Sequence, residues 1–283
     1  MSRQERRQRL KHLEKVVTRL DQKGLSPTPE LIELAALVAL IDDALGADSS
    51  GGSTRAVRRV VAVQDRTNAN ASFRNEVACR KGCALCCSLY VSATAPQVFA
   101  IADHIRRTAP DLAADVARIE AADLRTRGLD GRGRLINKAF CAFLVDNACS
   151  IYPVRPSACR GLLSRSVESC ERAYRGEAEN TEAIGAADII RNACDEAFWA
   201  VLHKRGFKLA GYELAHAVLV ALADESAEAR WHRGEDVFAA VAADPMANVG
   251  ASDELFWQSL WNIAHGEPVP PGQYRERFPE WCR

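Results

Sequence analysis

Cys79-Arg-Lys-Gly-Cys83-Ala-Leu-Cys86-Cys87 sets four thiols within nine residues, and a second set follows at Cys141, Cys149 and Cys159. The last two lie in Cys149-Ser-Ile-Tyr-Pro-Val-Arg-Pro-Ser-Ala-Cys159-Arg160. Thiolates are the soft ligands of zinc, copper(I) and iron–sulfur clusters. Two thiolates about 4 Å apart repel by roughly 4 kcal/mol at an effective dielectric of about 20. Four together therefore stay protonated or share a cation. Arg80 and Lys81 flank the first set, and Arg155 and Arg160 belong to the second. Cationic neighbours lower thiol pKa and favour the ligating form. The 135–163 stretch is rich in turn formers and short on helical periodicity, so irregular structure wrapped around a site is expected there.

On one helix the first four cysteines would share an arc of about 100°. That suits a metal face, and equally a buried apolar stripe, because free cysteine packs as a small hydrophobe. Gly82 weakens a continuous helix and favours a knuckle that turns backbone N–H groups toward sulfur. The spacing Cys79-x3-Cys83-x2-Cys86 also matches the cluster motif of radical S-adenosylmethionine enzymes. The strand–helix series of that fold does not follow, and Cys87 departs from the pattern. An iron with an open position is still compatible with the spacing.

The chain has 283 residues, 48% hydrophobic and 26% charged, enough for one large or two smaller cores. A formal net charge of zero argues against a dominant nucleic-acid footprint. Met-Ser-Arg-Gln-Glu-Arg-Arg at the start contains no apolar signal core. The most apolar stretch, 31–45, is interrupted by Glu33, Asp42 and Asp43 and is too short to span a bilayer. A reducing, cytoplasmic setting is expected, where clustered cysteines signal metal or redox chemistry rather than disulfides.

Helical periodicity recurs along the chain. An amphipathic basic helix is expected over 1–22, with Leu10, Leu13, Val17 and Leu20 on one face. A second helix runs over 29–45, with Pro29 in its first turn. A flexible Gly/Ser connector fills 46–54, and 55–77 reads as helix. Helices follow over 96–108 and 111–127, then a turn over 128–133. Beyond 180, helices are expected over 186–202, 212–224, 235–243 and 254–264. Pro268-Val-Pro-Pro-Gly272 breaks the pattern. No period-2 strand series is visible. The expected fold is mainly α, a helical protein with an irregular cysteine-rich metal-binding segment. Its expected divisions are 1–69 (helical, with the linker), 70–175 (cysteine-cluster domain) and 176–283 (helical, packed on it).

Taken together, the Cys79–Cys87 string, Cys141-Ala-Phe-Leu144, Cys149-Ser-Ile-Tyr152 and Arg155-Pro-Ser-Ala-Cys159-Arg160 resemble the YkgJ-like cysteine-cluster family, a zinc- or iron-chelating domain. The resemblance covers roughly 70–170. It departs at Ala95-Pro-Gln97, where relatives often carry a glutamate. It implies metal chelation through Cys79, Cys83, Cys86, Cys87, Cys141, Cys149 and Cys159. A related cysteine arrangement occurs in flagellin lysine methylases, which are thought to carry an iron–sulfur cluster.

Seven cysteines exceed the four needed for one zinc or one [4Fe–4S] cluster. One four-thiol centre with spare thiols and a binuclear site with a bridging thiolate both remain open. In the favoured division Cys79, Cys83 and Cys86 clamp locally and Cys159 closes the shell. Arg155 and Arg160 would then steady an anionic centre. The expected cofactor is an iron–sulfur cluster, with zinc as the alternative. The expected roles are metal binding in electron transfer or sensing, S-adenosylmethionine-dependent methyl transfer to a protein side chain, or a structural zinc module. The expected partners are a metal ion or cluster and a protein, without nucleic acid or membrane insertion. Cys170, Cys194 and Cys282 stand apart, Cys170 being the nearest outsider. His104, His203 and His216 read as structural histidines. Asp42-Asp43 and Asp195-Glu196 read as solvated helix ends.

Overall fold

The computed structural model describes residues 11, 29–46, 51–245 and 251–267. The helix expected over 1–22 (Lys11 apart), positions 47–50 of the connector, the 268–272 breaker and Cys282 lie outside the described residues. The chain is mainly α. In order, the helices are α1 (Pro29–Gly46), α2 (Gly52–Asn70), α3 (Ala95–Thr108), α4 (Leu112–Thr126), α5 (Gly131–Ile136) and α6 (Ser157–Gly161). They continue as α7 (Val167–Arg175), α8 (Gly185–Lys204), α9 (Leu214–Ala223), α10 (Ala227–His232) and α11 (Ala251–His265). Among the described residues, five short strands intervene: β1 (Ser92–Thr94), β2 (Leu144–Val145), β3 (Ala148–Cys149), β4 (Ala210–Glu213) and β5 (Ala243–Pro245). Among the described residues, no helix is long and apolar enough to cross a membrane.

Contacts divide the chain into two units. The first comprises Met1–Val63, Asn192–Leu209 and Met246–Arg283. Its core joins α1 to α11, with Leu34, Val38 and Ile41 buried on α1 and Phe256, Trp257 and Leu260 buried on α11. The Trp257 indole N–H donates to the buried Glu196 carboxylate, satisfying both polar groups where water is excluded. Asp42, read as a solvated helix end, is instead paired with Arg205 at 2.7 Å and with His265 at 3.2 Å.

The second unit comprises Gln64–Arg191 and Ala210–Pro245. Here β1, β4 and β5 form an antiparallel sheet in that order, with Ala93 opposite Tyr212 and Gly211 opposite Asp244. Helices α3 and α4 pack on α9. Phe99, Tyr212, Trp231 and Phe238 meet as an aromatic cluster, with Tyr212 and Phe238 centroids 4.7 Å apart. Such pairs add about 1 kcal/mol beyond their burial.

Local chemistry sets the helix ends. Asp111 accepts from the Ala114 N–H and opens α4. Pro96 occupies the first turn of α3, while the Gln97 side chain accepts from the Thr94 N–H. Two expectations are corrected. The 235–243 stretch is a run of turns leading into β5, with Phe238 and Val241 buried and Phe238 set in the aromatic cluster. The turn expected over 128–133 becomes helical from Gly131, capped by the Asp130 carboxylate, which accepts from Gly133 N–H at 2.7 Å.

Candidate metal centre

The first cysteine string is a knuckle rather than a helix. Gly82 has φ +88°, a left-handed conformation open to glycine, and Cys83 N–H bonds to Arg80 O at 3.0 Å to close the turn. A short 3₁₀ turn, Leu85–Ser88, then carries Cys86 and Cys87. The second set lies on three small pieces. Cys141 precedes the β2–β3 hairpin, and Cys149 sits on β3 opposite Leu144. Asp146 and Asn147, with φ 49° and 57°, form its two-residue turn. Cys159 is on α6, after a 3₁₀ turn over Tyr152–Val154.

Backbone bonds tie these pieces together. Cys141 N–H donates to Cys87 O at 2.7 Å, joining the two sets directly. Ala78 N–H bonds to Ser164 O at 2.9 Å, and Ser164 N–H returns to Cys79 Sγ at 3.4 Å. Gln97 donates to Ser157 Oγ at 3.0 Å and Gln64 to Ser157 O at 3.2 Å, fixing the start of α6. Arg160 is 3% exposed and pairs with both Asp65 oxygens, at 2.7 and 2.8 Å. It also donates to the Arg155 and Tyr152 carbonyls. Arg160 thus braces the loop that carries Cys149 and Cys159.

The thiols act on one another electrostatically. Cys79 feels Cys83 and Cys86, Cys87 feels Cys86, Cys141 and Cys149, and Cys159 feels Cys141, Cys86 and Cys149. These influences link the seven singled-out cysteines to one another pairwise. Burial pushes the Cys141 thiol up to about 11 and the Cys159 thiol up to about 12, although each residue keeps some exposed surface. Burial also raises Cys79 and Cys149. Against burial, the Ser164 N–H donates to Cys79 Sγ, and the backbone at Phe143 and Ile151 lowers the Cys141 and Cys149 thiols. A hydrogen bond to sulfur stabilises its charged form.

Cys86 and Cys87 behave as a pair. The Cys87 thiol donates to Cys86 and holds it below the ordinary thiol range, aided by Arg155, while Cys87 is held far above that range. The Arg155 guanidinium lies 4.5 Å from the Tyr152 ring centroid, and its buried Nε has no hydrogen-bond partner. In metal-free protein, iodoacetamide is expected to modify Cys86 first, at a pH below that of an ordinary cysteine, with Cys87, Cys141, Cys159 and the buried Cys194 far behind it. Cys87→Ala should move the Cys86 profile to higher pH. Peptide mass mapping across pH checks this; equal rates at every thiol would contradict it.

The outlying residues separate from this group. Cys194 is buried among apolar residues of the first unit, and burial raises its thiol to about 12. His203 packs on Trp257 with centroids 5.5 Å apart. The His104 ring nitrogen lies 3.4 Å from Ser150 O. His216 lines a groove of about 460 Å³ between α4 and α9, together with Asp123 and Val220. Cys170, by contrast, reaches Cys79 electrostatically, which its distance along the sequence did not reveal.

The donor set is thiol-rich and fits a thiophilic metal. Among the described residues, no three His, Cys, Asp or Glu side chains converge closely enough to hold an ion as they stand. Residues 78–189 match the model of the CxxCxxCC family, described as a "Putative zinc- or iron-chelating domain". The match reaches past the resemblance at 70–170 and includes Cys170 and all of α7. No curated protein and no solved structure matches the chain.

Proposed function

We propose that the CxxCxxCC domain of this chain holds a thiolate-ligated metal centre, an iron–sulfur cluster, through Cys79, Cys83, Cys86, Cys87, Cys141, Cys149 and Cys159. Its role is electron transfer or sensing of metal and redox state. The observation that carries this is the Ser164 N–H donation to Cys79 Sγ at 3.4 Å, beside the stabilising backbone at the Cys141 and Cys149 thiols. These bonds suit thiolates better than inert thiols. The surplus of cysteines beyond four favours a multi-iron centre. Arg155, with an unspent buried N–H, is the cation set to steady the negative charge of a thiolate-bound cluster. Arg160 would act through the loop it braces.

A zinc module in the same thiols is the second reading, favoured by the Gly82 knuckle, since glycine-bearing cysteine knuckles are common zinc sites. S-adenosylmethionine-dependent methyl transfer rests on the resemblance to the methylases. It would need a cofactor pocket beside the thiols, whereas the α4–α9 groove is lined by none of the cysteines.

Binding metal at neutral pH must displace protons from thiols whose pKa values are raised. Zinc affinity of the metal-free protein is accordingly expected to rise about tenfold per pH unit for each thiol proton released. The rise should continue above pH 8, because Cys141 and Cys159 lie near about 11 and about 12. Cys141→Ser should flatten this slope and lower the affinity. Competition with a chromophoric chelator from about pH 6 to about pH 9.5, across the ordinary thiol range, measures both. A flat profile that Cys141→Ser leaves unchanged would count against thiolate ligation.

A further inference from the structure

Helix α11 ends on a histidine that meets an acceptor at each of its ring nitrogens. His265 Nδ1 lies 2.9 Å from Trp261 O, one turn back on the same helix, and Nε2 lies 3.2 Å from Asp42 Oδ2 on α1. A carbonyl oxygen only accepts. Burial opposes the charge on Asp42, but His265 and Arg205 outweigh it and hold the carboxyl below its ordinary value, so this oxygen only accepts too. A neutral imidazole has one N–H and would turn a lone pair on one of the two oxygens; the imidazolium donates to both. Other features of the place favour the cation. The Trp261 ring stacks on the imidazole with centroids 4.0 Å apart, and an aromatic face attracts positive charge. His265 is the last residue of α11, at the negative end of the helix dipole. Gly266, with φ +68°, ends the helix there, as Glu267 N–H bonds back to Asn262 O at 2.7 Å. Glu267 adds a negative charge near the ring. Two cations at the end of α8 oppose it: Arg205, 2.7 Å from Asp42 Oδ1, and Lys204, whose Nζ lies 5.8 Å from the Trp261 ring centroid. The attraction wins, since the Asp42 contact holds the imidazole above its ordinary value against partial burial.

We infer that protonated His265 is a pH-operated clasp that fastens the end of α11 to α1 within the first unit. The ring is 30% exposed, so bulk solvent can exchange its proton. When that proton leaves, one of the two bonds loses its donor. Asp42 then still holds Arg205, which also donates to the Asp42 carbonyl at 3.0 Å. The tie between α1 and the end of α8 therefore survives, and α11 alone loses its polar hold. The apolar α1–α11 contact remains, so the last turn of α11 loosens and the unit stays folded. The sign follows from the raised value of His265. The clasp contributes fully below the ordinary histidine value of about 6.5 and is lost as pH rises through the higher folded value. On the acid side it is lost as pH falls through the lowered value of Asp42. None of the cysteines takes part, so the inference stands apart from the metal reading.

The test is a pH titration of the full-length chain, read by nitrogen and proton NMR of the imidazoles of its six histidines. His265→Gln assigns the signal by removing it. His265 should carry a proton on both ring nitrogens at neutral pH and titrate about one unit above the ordinary 6.5, a tenfold gain in proton affinity. Asp42→Asn should return it to the ordinary value or below. A neutral His265 at pH 7, or a titration that Asp42→Asn leaves in place, would overturn the inference. Thermal unfolding gives a second readout. The midpoint of His265→Gln should fall below that of the wild type near about pH 6, and the gap should close toward about pH 9. A gap of the same size at both pH values would show that the ring only packs against Trp261, and would overturn the clasp. If His265→Gln does not fold, the wild-type and Asp42→Asn titrations still decide, with the His265 signal identified by its coupling to the backbone.

Discussion

Stripping the metal from purified protein with a chelator is expected to loosen residues 78–189 far more than the first unit. Structural zinc in small thiolate sites contributes about 10–16 kcal/mol of apparent binding free energy near neutral pH. A whole domain is stable by only about 5–15 kcal/mol. The pieces that carry the thiols have little regular structure to hold them otherwise: a knuckle, a two-residue hairpin turn, 3₁₀ turns and a five-residue helix. Without metal, burial of Cys141 and Cys159 still favours the folded state below the ordinary thiol value of about 9. That contribution is lost as pH rises toward about 11 and about 12. Amide exchange before and after chelation should show protection falling by orders of magnitude across the 79–87 and 141–161 segments. The α1–α11 core of the first unit should change little. Unchanged exchange in the thiol segments would show that the metal adds nothing to this fold.

The second large effect is expected at a buried ion pair. Arg134 on α5 donates to Glu213 Oε1 at 2.6 Å, and the two side chains are 5% and 6% exposed. Glu213 also accepts from the His216 N–H at 2.8 Å and so caps α9. The Arg134 guanidinium lies over the Tyr90 ring at 5.0 Å. Glu213→Ala leaves a guanidinium buried without its counter-ion and uncaps the helix, for a loss of about 3–5 kcal/mol. The double variant Arg134→Met, Glu213→Leu should recover most of this, leaving mainly the cap deficit of about 1 kcal/mol. Urea unfolding of the single and double variants decides it. A single variant within about 0.5 kcal/mol of wild type would show that the pair is not insulated from water.

The helices that position the site were legible because their termini are written in local chemistry. Asp111 and Pro96 mark the starts of α4 and α3 within a residue of the expected positions. The strands were not legible. They span two to four residues, too few for alternation to show, and their register depends on distant partners such as Ser92 and Glu213. Helix α7 was missed because its sequence is mostly polar and none of its residues is fully buried, leaving only its end signals, the Ser166 cap and the left-handed Gly176. The 235–243 segment was misread because Phe238 and Val241, buried and three residues apart, imitate an apolar helical face.

The cysteine clusters were visible because they are written in short stretches of the sequence. The knuckle at Gly82 was visible for the same local reason. What the sequence hid was how far the neighbourhood extends. The approach of Cys170 depends on how Ser164, Phe140 and Tyr174 seat α7, and that is a matter of tertiary packing. The role of Arg160 was hidden too, because Asp65 lies 95 residues away along the chain.

The most direct test of the thiolate centre is analysis of protein purified without oxygen, for iron, zinc and acid-labile sulfide, beside its absorption spectrum. The predicted result is iron and sulfide in equal amounts with broad thiolate–iron charge-transfer absorption, all lost in a Cys79→Ser, Cys141→Ser double variant. Stoichiometric zinc without sulfide would move the same thiols to a zinc module. Protein that carries no metal, takes up none on reconstitution, and has every thiol of residues 79–170 free to react would contradict the account.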